Sequence, residues 1–255
     1  MTSIKKVGVL GSGIMGSGLA EVVARAGLDV VVRSRTQAGA DAVLAKVDSG
    51  LARHVAKERM TEEERQAILG RISVTDHLGQ LADCDLVIES VVEDLEVKRA
   101  LFAELEQIVK PEGILATNTS TLPVVELAMM TQRPSQVCGI HFFNPAPAMS
   151  LVEIIRPLTA SDETIATAAG FVEACGKNAV HVEDRAGFIV NALLFPYLNN
   201  AVRMLENGTA SMDDIDAAMM GGCNFPMGPF ALLDLVGLDT SVSILEALYA
   251  EFSDA

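Results

Sequence analysis

Apolar and polar residues follow two different patterns along this chain. Up to about residue 185, short β-branched runs such as 29–32 (DVVV) and 85–89 (DLVIE) alternate with longer stretches in which apolar residues recur at helical spacing. Strands that alternate with helices predict a parallel sheet with helices on both faces. Beyond that point the pattern is helical throughout. We therefore predict an α/β fold, in which a doubly wound sheet over residues 1–185 is followed by a smaller all-helical domain over residues 186–255.

The first apolar run leads directly into a turn with regularly spaced glycines. Gly11, Gly13 and Gly16 follow residues 7–10 in the spacing G-x-G-x-x-G, and a helical pattern begins in the same segment. Gly11 allows a sharp turn, Gly13 lets the backbone approach a pyrophosphate, and Gly16 lets the helix pack close to the strand. The N–H groups at the start of that helix favour an anion. The segment predicts a Rossmann-type dinucleotide site, and the alternative is a glycine-rich turn without a ligand.

The end of the second strand bears on which dinucleotide binds. NAD-binding folds usually place an acidic residue there to hold the ribose 2′-hydroxyl, whereas this chain has Arg33-Ser34-Arg35. Guanidinium groups are suited to a 2′-phosphate. The pattern favours NADP over NAD and leaves NAD open. Both arginines can also be solvated surface residues.

Composition limits the partners. Thirty-four acidic residues against nineteen lysines and arginines give a net charge of -15, which argues against nucleic acid and anionic membranes. No apolar run approaches the roughly 20 residues of a membrane span, and the amino-terminal residues lack a signal-peptide pattern, so we expect a cytoplasmic protein. The four cysteines lie far apart without a C-x-x-C motif, so we expect reduced, mostly packed thiols and no metal site.

A basic cluster stands out against this acidic background. It comprises Lys46, Arg53, His54, Lys57 and Arg59. Charge of this sign suits the phosphates of a carrier molecule, and we predict Arg53 and Lys57 as substrate contacts. Asp48 and Glu58 are interleaved with the basic residues, so an ordinary solvated helix face is the open alternative.

Two short strands, 137–143 (VCGIHFF) and 151–155 (LVEII), flank a segment in which prolines forbid a helix, so we predict a wide hairpin. His141 and Glu153 lie six residues on either side of Pro147, which makes them cross-strand partners on one face. A carboxylate bonded to one ring nitrogen fixes the tautomer and leaves the other nitrogen to exchange a proton. The pair predicts an acid/base dyad, although a histidine in a strand is otherwise more often structural.

Polar residues also mark the carboxyl ends of other predicted strands. Glu89 ends one strand, and Asn118 and Ser120 follow the strand near residues 114–117. Because ligands in open α/β sheets bind outside those ends, we expect these side chains to face a shared cleft. For Asn118 and Ser120, turn formation and capping of the next helix is a compatible alternative.

In the helical domain, Asn191 interrupts an apolar face that includes Phe195 and Leu198. A buried amide is unfavourable unless it finds a partner, so Asn191 either bonds internally or points into the cleft. Asp184 is placed to cap this helix.

Surplus Leu, Met and Ala in the later helices predict a homodimer through the C-terminal helices, with an internal bundle core as the alternative.

Several segments spread over nearly the entire chain carry a family resemblance. They are VGVLGSGIMGSGLAE, LVIESVVEDLEVK, ATNTS, GIHFFNPAP, LVEII, DRAGFIVNALLFPYLNNAVRM and FPMGPFALLDLVGLDT. With them the chain resembles the L-3-hydroxyacyl-CoA dehydrogenase family and its bacterial 3-hydroxybutyryl-CoA dehydrogenase branch. The resemblance implies an oxidoreductase that interconverts short-chain (S)-3-hydroxyacyl-CoA and 3-ketoacyl-CoA with NAD(P).

The resemblance also implies residue roles. His141 is the acid/base and Glu153 orients it. Ser120 and Asn191 donate hydrogen bonds around the substrate oxygen. The expected cofactor-binding residues, partly from the turn and partly from the resemblance, are Gly11, Gly13, Ile14, Met15, Gly16, Arg33, Ser34, Arg35, Glu89, Lys98 and Asn118.

Some features depart from the family pattern. The usual acid after the second strand is replaced by Arg33-Ser34-Arg35, and Thr121 stands where a second serine is common. The chain ends at Ala255, where the resemblance leads us to expect a further helix. Two alternative functions stay open. One is a dehydrogenase of the same fold acting on a sugar acid or on a carrier-protein thioester, and the other is a catalytically silent dinucleotide-binding protein.

Overall fold

The computed structural model describes residues 4–253, and its strands and helices alternate as the sequence pattern predicts. The strands are β1 (Lys6–Leu10), β2 (Asp29–Arg33), β3 (Ile72–Thr75), β4 (Leu86–Glu89), β5 (Ile114–Thr117), β6 (Val137–Phe142), β7 (Leu151–Arg156) and β8 (Asn178–Glu183).

The helices lie between and after these strands. They are α1 (Ile14–Arg25), α2 (Gln37–Ala56), α3 (Glu62–Leu69), α4 (Leu95–Ile108), α5 (Val124–Ala128), α6 (Asp162–Ala174), α7 (Val190–Glu206), α8 (Met212–Cys223), α9 (Pro229–Val236) and α10 (Leu238–Phe252). Within residues 4–253, none of them is both long and apolar enough to cross a membrane.

The strands join into one sheet in the order β3-β2-β1-β4-β5-β6-β7-β8. Neighbours are parallel except β6 and β7, which are antiparallel as the predicted hairpin requires. The strand order reverses between β1 and β4. In doubly wound sheets, ligands bind outside the carboxyl ends of the strands at this point. The predicted Rossmann-type sheet followed by a helical region is confirmed.

Burial on both faces explains why the central strands are almost wholly apolar. Val7, Val9 and Leu10 of β1 have no exposed surface, and neither have Val30 and Val32 of β2. Helices on the two faces cover a parallel sheet, so its strands show continuous apolar runs and no alternation with polar residues. This core fixes the carboxyl ends of the strands, where the polar residues of the site begin.

The chain divides into two compact units. The first comprises the residues up to Thr119 together with Pro123–Asp184, and the second comprises Ser120–Leu122 together with the residues from Arg185 onward. The division falls one residue before the predicted boundary, but the sequence pattern did not anticipate that Ser120–Leu122 belongs with the helical unit. The predicted ranges also include residues 1–3 and 254–255, which lie outside the described residues.

Asp184 does not have its predicted place at the start of the next helix. That helix, α7, begins at Val190. The Asp184 carboxylate instead accepts hydrogen bonds from the N–H groups of Val124 and Val125, at 3.0 and 2.7 Å, in the first turn of α5. A carboxylate favours the positive end of any nearby helix. Spacing along the chain identified Asp184 as a cap but assigned it to the wrong helix.

Candidate active site

The glycine-spaced turn joins β1 to α1 and has no room for a side chain at two of its glycines. Gly11 has a φ of 121°, and a Cβ atom there would lie 2.2 Å from the carbonyl oxygen of Ser90. A Cβ atom on Gly16 would lie 2.0 Å from the carbonyl oxygen of Gly11. The Gly11 N–H donates to the Arg33 carbonyl at 3.0 Å, which ties the turn to the end of β2. Only glycine fits these two positions.

Gly13, the middle glycine, faces open space. It is the N-cap of α1, and within the described chain no atom outside Gly13 and its two chain neighbours lies within 4 Å of a Cβ atom built on it. Such a Cβ would occupy the space that a pyrophosphate needs to reach the backbone N–H groups at the start of the helix. Ile14 is exposed and Met15 is half-buried in the same turn. The residues present therefore fit a dinucleotide.

Arg33, the last residue of β2, and the two residues after it lie beside this turn. The Ser34 side chain is buried and its Oγ lies 2.9 Å from Ser12 Oγ in the glycine turn. The half-buried Arg33 donates from Nε to the carbonyl oxygen of Asp76 at 3.3 Å, and Arg35 is exposed. The segment is thus held against the dinucleotide turn, and its assignment as a 2′-phosphate contact stays a prediction.

Glu89 and Lys98, both expected to contact the cofactor, form a buried ion pair. The Lys98 Nζ lies 2.8 Å from each carboxylate oxygen of Glu89 at the end of β4. Glu89 also accepts hydrogen bonds from the Thr117 hydroxyl at 2.7 Å and from the Val91 N–H at 2.6 Å. Neither member of the pair has exposed surface. The structure therefore gives both side chains a definite internal role, and their contact with a cofactor stays a prediction.

Glu93 completes this cluster and was missed in the sequence interpretation. Its carboxylate lies 3.1 Å from the Lys98 Nζ and accepts a hydrogen bond from the Thr119 hydroxyl. Its side chain is 39% exposed, so the cluster is open to solvent on this side. The sequence did contain a signal for Glu93. It is an acid just before a helix, and a lysine at a buried helical position follows five residues later. The acid connects α4 to the segment that follows β5.

Asn118 links the carboxyl ends of three strands. Its N–H donates to the Glu89 carbonyl at 2.7 Å, and its Oδ1 accepts a hydrogen bond from the Phe142 N–H at 2.8 Å. The ladder between β5 and β6 ends at the pair Thr117 and Gly139. The Asn118 side chain therefore extends the connection to the residue next to His141. Its expected cofactor contact stays a prediction.

His141 and Glu153 meet across the hairpin as predicted. They are paired in the antiparallel register, and His141 Nδ1 lies 2.8 Å from Glu153 Oε2. His141 is 4% exposed and Glu153 is fully buried. The His141 ring also packs against Phe143, with ring centroids 4.5 Å apart. The predicted contact is confirmed, and the catalytic role of the pair stays a prediction.

Asn191 and Ser120 lie together in the second unit. Asn191 is buried near the start of α7, and its Nδ2 donates to the Ser120 carbonyl oxygen at 3.5 Å. The amide thus has an internal partner, which is one of the two alternatives that the sequence left open. The roles of both side chains toward a substrate stay predictions.

Arg53 and Lys57 lie at the end of α2, and both are exposed. Basic side chains at a helix C-terminus are favourable for the helix itself, because they oppose the negative end of its dipole. Of the interleaved acids, Asp48 is paired with Arg65 of α3. The position is therefore compatible both with the predicted substrate contact and with an ordinary solvated helix end.

Comparison with known proteins gives the family. The model described as 3-hydroxyacyl-CoA dehydrogenase, NAD binding domain, matches residues 6–185, and the C-terminal domain model of the same family matches residues 187–255. A 3-hydroxybutyryl-CoA dehydrogenase of Mycobacterium tuberculosis is 45% identical over 254 residues, which cover 99% of this chain and 89% of that protein.

Solved structures agree with the sequence comparison. The crystal structure of FadB2 from M. tuberculosis has a TM-score of 0.97 and 45% identity, and the match covers 99% of this chain and 90% of that one. The (S)-3-hydroxybutyryl-CoA dehydrogenase PaaH1 from Ralstonia eutropha also has a TM-score of 0.97, at 40% identity, covering 99% of this chain and 89% of that one. This chain belongs to the 3-hydroxyacyl-CoA dehydrogenase family.

Proposed function

We propose that this protein is an NAD(P)-dependent oxidoreductase that interconverts short-chain (S)-3-hydroxyacyl-CoA and 3-ketoacyl-CoA, with 3-hydroxybutyryl-CoA and acetoacetyl-CoA as the reference pair. The observation that carries the proposal is the buried 2.8 Å contact between His141 Nδ1 and Glu153 Oε2. Family membership and a glycine turn that fits a dinucleotide support it. Similar proteins named 3-hydroxybutyryl-CoA dehydrogenase support the choice of acyl group.

The dyad supplies the proton chemistry of this reaction. A carboxylate at this distance accepts the N–H of His141 Nδ1, which selects the tautomer whose Nε2 can accept a proton. Nε2 then takes the proton of the 3-hydroxyl group, and the negative charge of Glu153 stabilises the imidazolium that results. In the reverse direction the imidazolium returns the proton to the oxygen. A bound nicotinamide dinucleotide supplies hydride acceptance from C3 in one direction and hydride donation in the other.

Other residues of this chain have roles in binding. The open backbone at Gly13 and the start of α1 are proposed to hold the pyrophosphate. Arg33 and Arg35 are proposed to select NADP through its 2′-phosphate. Ser120 and Asn191 are proposed as hydrogen-bond donors to the substrate oxygen.

An assay with acetoacetyl-CoA and each reduced nicotinamide tests the function. His141→Gln should lower kcat by about 10²-fold or more and leave the dinucleotide Kd nearly unchanged, because it removes the proton donor and not the binding turn. The exposed His77 offers a matched control, since His77→Gln should keep wild-type kcat. An unchanged kcat in His141→Gln would remove the dyad from the mechanism. A wild-type protein that binds dinucleotide but reduces no thioester would indicate the catalytically silent alternative.

The same assay distinguishes coenzyme A from a carrier protein. If Arg53 and Lys57 bind phosphates of the coenzyme, changing both to Ala should raise the KM for acetoacetyl-CoA and leave the KM for a short, phosphate-free acetoacetyl thioester unchanged. An equal KM for the two thioesters in the wild-type protein would contradict the assignment. In that case the alternative of a carrier-protein thioester gains support.

Assembly and location complete the proposal. We propose a homodimer formed through the C-terminal helices, because they expose large apolar side chains that include Leu193, Leu235 and Leu238. The cytoplasmic location expected from composition is part of the same proposal.

A further inference from the structure

The loop between the two strands of the dyad is held by one lysine. Residues 143–150 connect β6 to β7, and the Lys177 Nζ donates hydrogen bonds to three of their carbonyl oxygens. These belong to Ala146, Pro147 and Met149, at 2.9, 3.0 and 2.8 Å. An ammonium group has three donors. Lys177 therefore uses its complete donor set on a single loop.

Lys177 itself is fixed by the elements on either side of it. Gly176, with a φ of 70°, ends the turn after α6, and the Lys177 N–H donates to the Val172 carbonyl at 3.2 Å. The next residue, Asn178, donates its N–H to the Ser150 carbonyl at 2.7 Å and begins β8. β8 pairs with β7 from its first residue onward. The lysine thus stands where the loop enters β7, the strand that carries Glu153.

The other side of the loop packs against the helix that begins at the glycine turn. A Cβ atom on Gly18 of α1 would lie 3.1 Å from the Ala146 Cβ and 3.3 Å from the Pro147 Cδ. Ala146 is buried in this contact. The loop is therefore held between α1, which starts at the dinucleotide turn, and the ammonium group of Lys177.

We infer that Lys177 is a positioning residue for the His141–Glu153 dyad. By holding the loop against α1, it fixes where the hairpin lies relative to the helix at the dinucleotide turn. Hairpin loops are usually the most mobile part of a hairpin, and a small displacement of a catalytic group has a large effect on rate. The β6–β7 ladder does not depend on the lysine, so its loss should loosen the loop without unfolding the sheet. The inference rests on the proposed function of the dyad.

The test compares Lys177→Met, which keeps a long apolar side chain but has no donors, with Lys177→Arg, which keeps the charge and the donors. Lys5→Met, at an exposed lysine far from the loop, is the matched control. Hydrogen exchange is measured at the N–H groups of Ala148 and Met149, which donate to the Pro145 carbonyl inside the loop. kcat, KM and the pH profile of kcat are measured on the same samples.

In Lys177→Met, we expect exchange at Ala148 and Met149 to be about tenfold faster and kcat to fall about tenfold with little change in either KM. The pH profile of kcat should also change, because the hairpin that carries His141 and Glu153 no longer has a fixed place relative to α1. Lys177→Arg should restore most of the protection from exchange and most of kcat. A merely structural role would lower the folded fraction and leave the pH profile unchanged.

Gly18→Ala gives a second variant if Lys177→Met folds poorly. It crowds Ala146 from the opposite side, so it should lower kcat with Lys177 intact. Unchanged exchange in Lys177→Met would overturn the inference, as would faster exchange with wild-type kcat and pH profile. Full activity of His141→Gln would instead overturn the proposed function, and the exchange measurement would still decide whether Lys177 holds the loop.

Discussion

Lys98 is a fully buried cation between two carboxylates, those of Glu89 and Glu93. Removing a charge from water is unfavourable, so a lysine is rarely buried completely unless it is paired. Here both carboxylate oxygens of Glu89 contact the Lys98 ammonium group and are buried, whereas the Glu93 carboxylate is partly exposed to solvent. The cluster therefore holds α4 and the strand ends together, close to the turn expected to bind the dinucleotide.

Replacing Lys98 tests the cost of breaking that pair. Lys98→Met should lower the free energy of unfolding by about 3–5 kcal/mol, because Glu89 is left as an uncompensated buried charge. Urea unfolding measures the loss. The exposed Lys57 provides the control, since Lys57→Met should change stability by no more than about 0.5 kcal/mol. Adding Glu89→Gln to Lys98→Met should recover part of the loss, and a further loss in the double variant would contradict the explanation.

Arg33 and Arg35, at the end of β2, give a second test at single residues. If they bind a 2′-phosphate, changing both Arg33 and Arg35 to Ala should raise the KM for NADPH by about tenfold or more while leaving the KM for NADH nearly unchanged. Steady-state kinetics with each dinucleotide measures this. Lys5→Met serves as a charge-removing control, because Lys5 lies beside Asp29 at the opposite end of β2 from Arg33. If the KM values for NADPH and NADH rise equally, or if neither changes, the arginines are residues of the solvated surface and do not select the dinucleotide.

At the scale of elements, the β6–β7 hairpin could be predicted and the contacts that support it could not. The positions of His141 and Glu153 about Pro147 set the register, and register follows from local spacing. Lys177 reaches carbonyl groups 28 to 31 residues away, and backbone carbonyls carry no sequence signal. The same limit applies to Asp184. Its residue type predicted a helix cap, but the helix that it caps depends on which helix start the fold brings close to it.

The cap on α5 offers a test at this scale. Asp184→Ala should lower the free energy of unfolding by about 1–2 kcal/mol, because two N–H groups in the first turn of α5 lose their acceptor. Asp184→Asn should lose less, since the amide oxygen can still accept one of them. Thermal or urea unfolding measures both. Equal losses in the two variants would show that charge, and not the acceptor, is what matters.

At the scale of the whole molecule, the net charge of -15 and the exposed apolar side chains of the helical unit have opposite effects on association between identical chains. Like charge opposes association of identical chains, whereas the exposed apolar side chains of the C-terminal helices favour it.

The order of strands and helices could be predicted from apolar periodicity along the chain. The inclusion of Ser120–Leu122 in the helical unit could not, because it depends on contacts between distant segments.

Sedimentation tests the proposed dimer. The wild-type protein should sediment at about twice the 27.0 kDa chain mass, because C-terminal apolar surface is buried between copies. Leu235→Glu, at a side chain that is 70% exposed in α9, should shift the equilibrium toward the single chain. Leu158→Glu is the matched control, because Leu158 is 94% exposed but lies in the first unit. A wild-type protein of single-chain mass would contradict the proposal.

The lysine that secures the hairpin loop has a consequence for how the protein is made. Chains leave the ribosome from the amino end, so His141 and Glu153 both emerge before Lys177 does. A nascent chain can therefore form the hairpin before the lysine that contacts its loop has been synthesised. With the positioning role inferred for Lys177, the dyad reaches its final placement only after α6 has been synthesised and β8 has docked. The proposed proton-transfer groups would then be among the last features of the first unit to mature.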